Sequence, residues 1–139
     1  MPQPTLRLAR KVTFSSAHRY FNPAFSEDEN KRIFGMCYTP YGHGHNYVLE
    51  AYFEGPVDPQ TGMVINLRDV DLILKDVLKP LDHHHLNFDV PEFKSAVPTT
   101  ENIAKYCFDR IAEKLVGTPV RLSQVRLFEG DDLWVDCYG

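Results

Sequence analysis

The sequence predicts an α+β fold: an antiparallel sheet with two helices on one side, in the order β–β–α–α–β–β. Three observations predict it. Residues 5–18 and 43–54 alternate in parity like strands. Residues 67–79, and a stretch from 100 to about 115, repeat apolar side chains at three- and four-residue intervals like helices. Residues 120–129 and 133–138 read as two more strands, joined as a hairpin by a short "GDD" turn.

In the first strand Leu6, Leu8, Val12, Phe14, Ser16 and His18 share one parity, so they point to one face. Residues 19–42 read as a long loop with a short helical turn at 26–34, because Pro, Gly, Asn and the charged "SEDENKR" break any period. A loop this long inside a compact domain is often functional. In the second strand His43, His45, Tyr47, Leu49, Ala51 and Phe53 share a face. "GPVDPQTGM" at 55–63 is turn chemistry. The first helix buries Leu67, Val70, Leu74, Val77 and Leu78, takes Asn66 as its cap and closes at Pro80. "LDHHHLNFDVPEFKSAVP" at 81–98 reads as loop. Thr99 or Thr100 caps the second helix, whose stripe is Ile103, Ala104, Cys107, Phe108, Ile111 and Leu115. In the closing hairpin Val125, Leu127 and Glu129 share a parity, which puts a carboxylate among apolar neighbours.

A chain of 139 residues suggests one domain, 1–139, able to bury a core without staples. The net charge is −4 and no block of like charge occurs, which argues against a general nucleic-acid-binding role. An anionic ligand stays open, because a local basic patch can outweigh a weak global charge. No apolar run approaches the ~20 residues of a membrane span, and "MPQPTLRLARK" lacks the apolar core of a leader. The expected location is the cytoplasm, with no membrane partner. Three cysteines is an odd number, and the expectation is that all three are free thiols.

The chemistry concentrates in "CYTPYGHGHNY", 37–47. Residues i and i+2 of a strand point the same way at roughly 6–7 Å, so His43 and His45 can converge on one ion. His18 ends the first strand. If the two strands pair across the long loop, His18 lands beside them. Three neutral imidazoles leave one coordination position open, the pattern of catalytic rather than structural zinc. Cys37 has two readings: a fourth ligand that closes the site, or a thiolate base beside the metal. Cys107 and Cys137 read as small buried hydrophobes. In "LDHHHLN" an Asp directly before His suggests a carboxylate that orients an imidazole; the plainer reading is a solvated loop. Glu129 is costly on an apolar face unless paired, and a pterin or guanine edge would pair it through two parallel hydrogen bonds.

Taken together the motifs resemble the 6-pyruvoyl-tetrahydropterin synthase family, which includes the bacterial 6-carboxy-tetrahydropterin synthases of queuosine biosynthesis. The matching pieces are "FSSAHR" (14–19), "FGMCYTPYGHGHNY" (34–47), "DPQTGMVINL" (58–67), "KPLDHHHLN" (79–87), "PTTEN" (98–102) and "VRLFE" (125–129), in family order across nearly the whole chain. The resemblance implies a tunnelling fold, a four-stranded antiparallel sheet with two helices between strands 2 and 3. It implies trimers whose sheets close into a barrel, stacked in pairs as a homohexamer with active sites between subunits. It implies Zn2+ on His18, His43 and His45, with Cys37 as catalytic thiolate. Asp82 and His83 would assist from a neighbouring subunit. Glu129 would anchor the pterin, with Thr100 and Glu101 near it.

The implied function is a zinc-dependent carbon–oxygen lyase that takes 7,8-dihydroneopterin triphosphate and eliminates triphosphate to give 6-pyruvoyl-tetrahydropterin. The alternative is 6-carboxy-tetrahydropterin synthase, which releases acetaldehyde from the same substrate. More distant are a zinc hydrolase and a non-catalytic zinc-binding module with a closed Cys-His₃ site. Arg19, Lys31 and Arg32 are candidates to meet the phosphates. Two departures bear on side-chain selection. Tyr38, Thr39 and Tyr41 stand where pyruvoyl-type members carry Asn-rich residues, and His84 and His85 stand where Lys-Asn is usual. The gap from Cys37 to His43 is the longer one, as in the pyruvoyl type.

Overall fold

The computed structural model describes residues 4–139. The stretch read for a leader begins in residues 1–3, which lie outside the described residues. Strand β1 (Leu6–His18) and strand β2 (His43–Gly55) pair antiparallel along their whole length, from Leu6 opposite Gly55 to His18 opposite His43. The pairing brings the two ends of the long loop together. Within that loop, helix α1 (Glu27–Phe34) starts at Ser26, whose hydroxyl accepts from the Glu29 amide. A 3₁₀ turn (Gly35–Cys37) follows. Helix α2 (Leu67–Leu78) is capped by Asn66, and its apolar stripe is Val70, Leu74, Val77 and Leu78. Leu67, expected in that stripe, is instead 46% exposed at the first position of the helix.

The segment expected as loop, 81–98, is more ordered than its pattern suggests. Strand β3 (His84–His85) pairs parallel to β1, with Ser16 opposite His84 and Ala17 opposite His85. Helix α3 (Leu86–Asp89) and a 3₁₀ turn (Pro91–Lys94) come next. Leu81, Leu86, Val90 and Phe93 are buried, and that burial fixes the segment despite its lack of period. Helix α4 (Thr100–Glu113) is capped by the Thr99 hydroxyl, which accepts from the Asn102 amide. Strands β4 (Arg121–Gly130) and β5 (Leu133–Tyr138) form the closing hairpin. The sheet order is β3-β1-β2-β4-β5. The expected four strands are therefore corrected to five. The added β3 is two residues long and pairs through contacts that no period encodes.

Phe14, Tyr47, Leu49, Ala51, Phe53, Val125 and Leu127 bury one face of the sheet against α2 and α4, as strand parity predicts. The three cysteines are free, Cys107 fully buried in this core. Burial pushes the Cys107 thiol up to about 12, so it is inert.

Candidate metal centre and active site

His18, His43 and His45 meet at one end of the sheet because β1 and β2 end opposite each other. The ring centroids of His18 lie 5.0 Å from His43 and 5.1 Å from His45, and those two are 4.9 Å apart. Glu129 is the fourth member. The ligand atoms of all four lie within 4.8 Å of one another. Register shifts by one residue between Phe128 and Gly130, so Glu129 is the extra residue of a β-bulge. Such a bulge re-aims a side chain. One Glu129 oxygen sits 2.9 Å from His45 Nε2 and 3.5 Å from His18 Nε2. The other accepts from the Thr100 hydroxyl at 3.2 Å.

His18 is fully buried. Its Nδ1 lies 2.8 Å from the Pro98 carbonyl, which can only accept. Nδ1 therefore carries the proton, and Nε2 turns a lone pair toward the cluster. Burial is the main force on this ring and lowers its pKa to about 4, so it stays neutral. Burial also lowers His45, against the opposing pull of Glu129. Although Glu129 lies close to both, Nε2 of His18 and Nε2 of His45 are buried and make no well-aligned hydrogen bond among the described residues. Two orphaned imidazole nitrogens aimed at one point, with a third ring and a carboxylate beside them, fit a divalent metal. Cys37 lies outside the group of four, which leaves the closed Cys-His₃ reading without its sulfur.

Cys37 ends the 3₁₀ turn, partly exposed. Its carbonyl accepts from the Tyr20 amide at 3.0 Å, which ties the turn to the residues just after His18. Asp82 and His83 stand at the edge of β1. Asp82 Oδ1 accepts from the Ser15 amide at 2.9 Å and lies 3.0 Å from His83 Nδ1. His83 adopts φ 61, a left-handed conformation uncommon outside glycine, and its ring is 81% exposed. Ser15, Ala17, Gly44 and Asn46, on the face away from the helices, line a cleft with His83. Thr100 is buried and Glu101 exposed at the start of α4. Of the basic residues, Arg19 lies over the Phe21 ring and donates to the Pro40 carbonyl, and Lys31 pairs with Glu27.

The family described as "6-pyruvoyl tetrahydropterin synthase" matches residues 7–139. The chain belongs to this family. It is accordingly an enzyme of the lyase class, as expected. The 6-pyruvoyl tetrahydrobiopterin synthase of Homo sapiens is 41% identical over 128 residues, 91% of this chain and 86% of that protein. That of Poecilia reticulata is 44% identical over 126 residues, 89% and 84%. A putative 6-carboxy-5,6,7,8-tetrahydropterin synthase of Archaeoglobus fulgidus is 36% identical over 94 residues, 68% and 73%. The 6-pyruvoyl tetrahydropterin synthase structure of Caenorhabditis elegans superposes with a TM-score of 0.93 at 36% identity, covering 100% and 99% of the two chains. The tunnelling fold follows from that likeness.

In this synthase-family site two phenols stand to which the sequence reading gave no role. Tyr47 places its hydroxyl 3.2 Å from His18 Nδ1. Tyr20 packs edge-on to His18, with ring centroids 5.3 Å apart. Burial, with Glu129 and Cys37 close by, pushes the Tyr20 phenol up to about 12, so it stays a neutral donor. Tyr47 shares the His43–His45 parity, the one clue available to it. Tyr20 lies past the strand end, where parity no longer applies.

Proposed function

We propose that the protein is a zinc-dependent lyase that converts 7,8-dihydroneopterin triphosphate to 6-pyruvoyl-tetrahydropterin and triphosphate. The observation that carries this reading is the convergence of His18, His43 and His45 beside a segment bearing Cys37. The pyruvoyl product is favoured over the carboxy product by extent of similarity. Relatives named for the former are 39–44% identical over about nine-tenths of the chain, against 36% over 68% for the latter.

Zinc on the three imidazoles would supply Lewis acidity at the substrate's side-chain hydroxyls and so acidify the adjacent C–H. Cys37, as thiolate, takes that proton. Asp82 and His83, from a neighbouring subunit of a homohexamer, tune the thiol and return protons. Glu129 holds the pterin edge by paired hydrogen bonds, with Thr100 and Glu101 beside it. That role requires the Glu129 carboxylate to leave its imidazole neighbours once a metal occupies their lone pairs. Triphosphate departs, the side chain is kept as two carbonyls, and the ring passes from dihydro to tetrahydro. We place the protein in the cytoplasm. Among the described residues no helix is long and apolar enough to cross a membrane.

Cys37→Ala tests the assignment of the base. With zinc content unchanged, triphosphate release should fall by about 10²–10⁴. A variant with wild-type turnover would favour a zinc hydrolase, in which bound water does the work and the thiol is idle.

A further inference from the structure

Between Cys37 and His43 the chain runs through Tyr38, Thr39, Pro40, Tyr41 and Gly42, without helix or strand. A segment with no ladder of its own must be held by side chains if the thiol and the metal are to keep a fixed separation. The holding groups come from the turn after Asp82–His83. His85 Nε2 lies 2.9 Å from the Tyr41 carbonyl, and since that oxygen can only accept, Nε2 donates. Asn87, only 9% exposed, grips the residue after His18 from both sides. Its Oδ1 accepts from the Arg19 amide at 2.8 Å, and its Nδ2 donates to the Arg19 carbonyl at 2.9 Å. Arg19 in turn donates from Nη1 to the Pro40 carbonyl at 3.2 Å.

The holding groups are themselves fixed. The His85 ring stacks on Phe88 with centroids 4.2 Å apart, and its amide donates to Asp89 Oδ2 at 2.9 Å. The Arg19 guanidinium is sandwiched, 4.2 Å from the Phe21 centroid and 5.7 Å from that of Phe88. Segment 38–42 therefore touches the 85–89 turn directly at Tyr41, and through Arg19 at Pro40.

We infer that His85 and Asn87 form a brace that fixes the Cys37–His43 segment against the end of β1, making both positioning residues for the chemistry of Cys37. This rests on the proposed role of Cys37. The brace is continuous with Asp82 and His83, which hold Ser15 on the same edge: the Asp82 carboxylate accepts from its amide and the His83 amide donates to its carbonyl. One turn thus presents the acid–base pair outward and grips the thiol-bearing segment of its own chain. Of the departures, His85 is the one this hydrogen bond uses as a side chain; Tyr41 supplies only its backbone carbonyl, and its ring is exposed.

The test uses the zinc-loaded protein and iodoacetamide as the probe of Cys37, read on the Cys37 peptide by mass spectrometry. In His85→Ala the loosened segment exposes the thiol, and alkylation should speed up about threefold, with the Cys107 and Cys137 peptides unchanged. His85→Gln can place a donor near the old Nε2 position and should restore the wild-type rate. With dihydroneopterin triphosphate, His85→Ala should lose about tenfold in kcat at a KM within about twofold, zinc content held, because misplacement of a reacting group costs rate more than binding. An unchanged or slower alkylation of Cys37 in His85→Ala overturns the inference. So does a Gln variant that behaves like the Ala variant. Wild-type protein that fails to turn over this substrate would sink the functional reading alone, and the alkylation rates would still decide the brace.

Discussion

At the scale of single residues, the site is governed by which form of each side chain burial permits. His18 has no exposed surface, its Nδ1–H is committed to the Pro98 carbonyl, and burial lowers its pKa from 6.5 to about 4. In the metal-free protein the unfolded chain therefore binds a proton between pH 6.5 and 4 that the folded chain refuses. Stability must fall as pH drops through that window, by about 3 kcal/mol from this residue alone. Urea midpoints of the metal-free protein measured from pH 7 to 4 should show it. His18→Asn, which keeps a donor near Nδ1 but cannot titrate, should flatten the slope by about that amount; equal slopes would refute the burial argument. His18 was legible because parity carries it to the strand end with Phe14 and Ser16. Tyr20 was not, and neither was Asn30, fully buried in α1 with its side chain bonded to Asn22, Phe25 and Ser26. Both take their places from a loop whose path no period records.

At the scale of elements, β1 and β2 were readable from alternation, and α2 and α4 from their stripes and their caps Asn66 and Thr99. The 81–98 segment was not. Its short parallel strand depends on Asp82 and His83 satisfying both backbone groups of Ser15, a pairing across 67 positions or more in sequence. The bulge that leaves Glu129 outside the β4–β5 ladder was equally silent, although the parity of Glu129 with Val125 and Leu127 pointed it to the right face. The join between loop and β2 is the tightest point. Gly42 has φ +77, and a Cβ there would lie 2.1 Å from the His18 carbonyl oxygen. Gly42→Ala should therefore cost about 2 kcal/mol or more, from left-handed strain and displacement of β1. Because the displaced group is the backbone of His18, zinc affinity should fall with it. Thermal unfolding with and without zinc would check both, and a variant with wild-type stability and affinity would show that the two strands can part there at no cost.

At the scale of the whole molecule, the helices cover one face of the sheet and leave the other open. That face carries the Lys11–Glu50 and Arg126–Asp136 pairs, with Trp134 tilted on Phe128 and 45% exposed. Among the described residues, β5 pairs only with β4, and β1 from Leu6 to Phe14 pairs only with β2. Long unpaired edges invite pairing with another chain. They suit the proposed homohexamer, in which Asp82 and His83, at the edge of β1, would complete a neighbour's site. The central claim concerns what that assembled site makes. The most direct measurement is to incubate the pure zinc-loaded protein with 7,8-dihydroneopterin triphosphate and identify every product by mass. The account predicts triphosphate and 6-pyruvoyl-tetrahydropterin, with no acetaldehyde. Acetaldehyde with a carboxy-pterin, or no turnover with zinc bound, would contradict it.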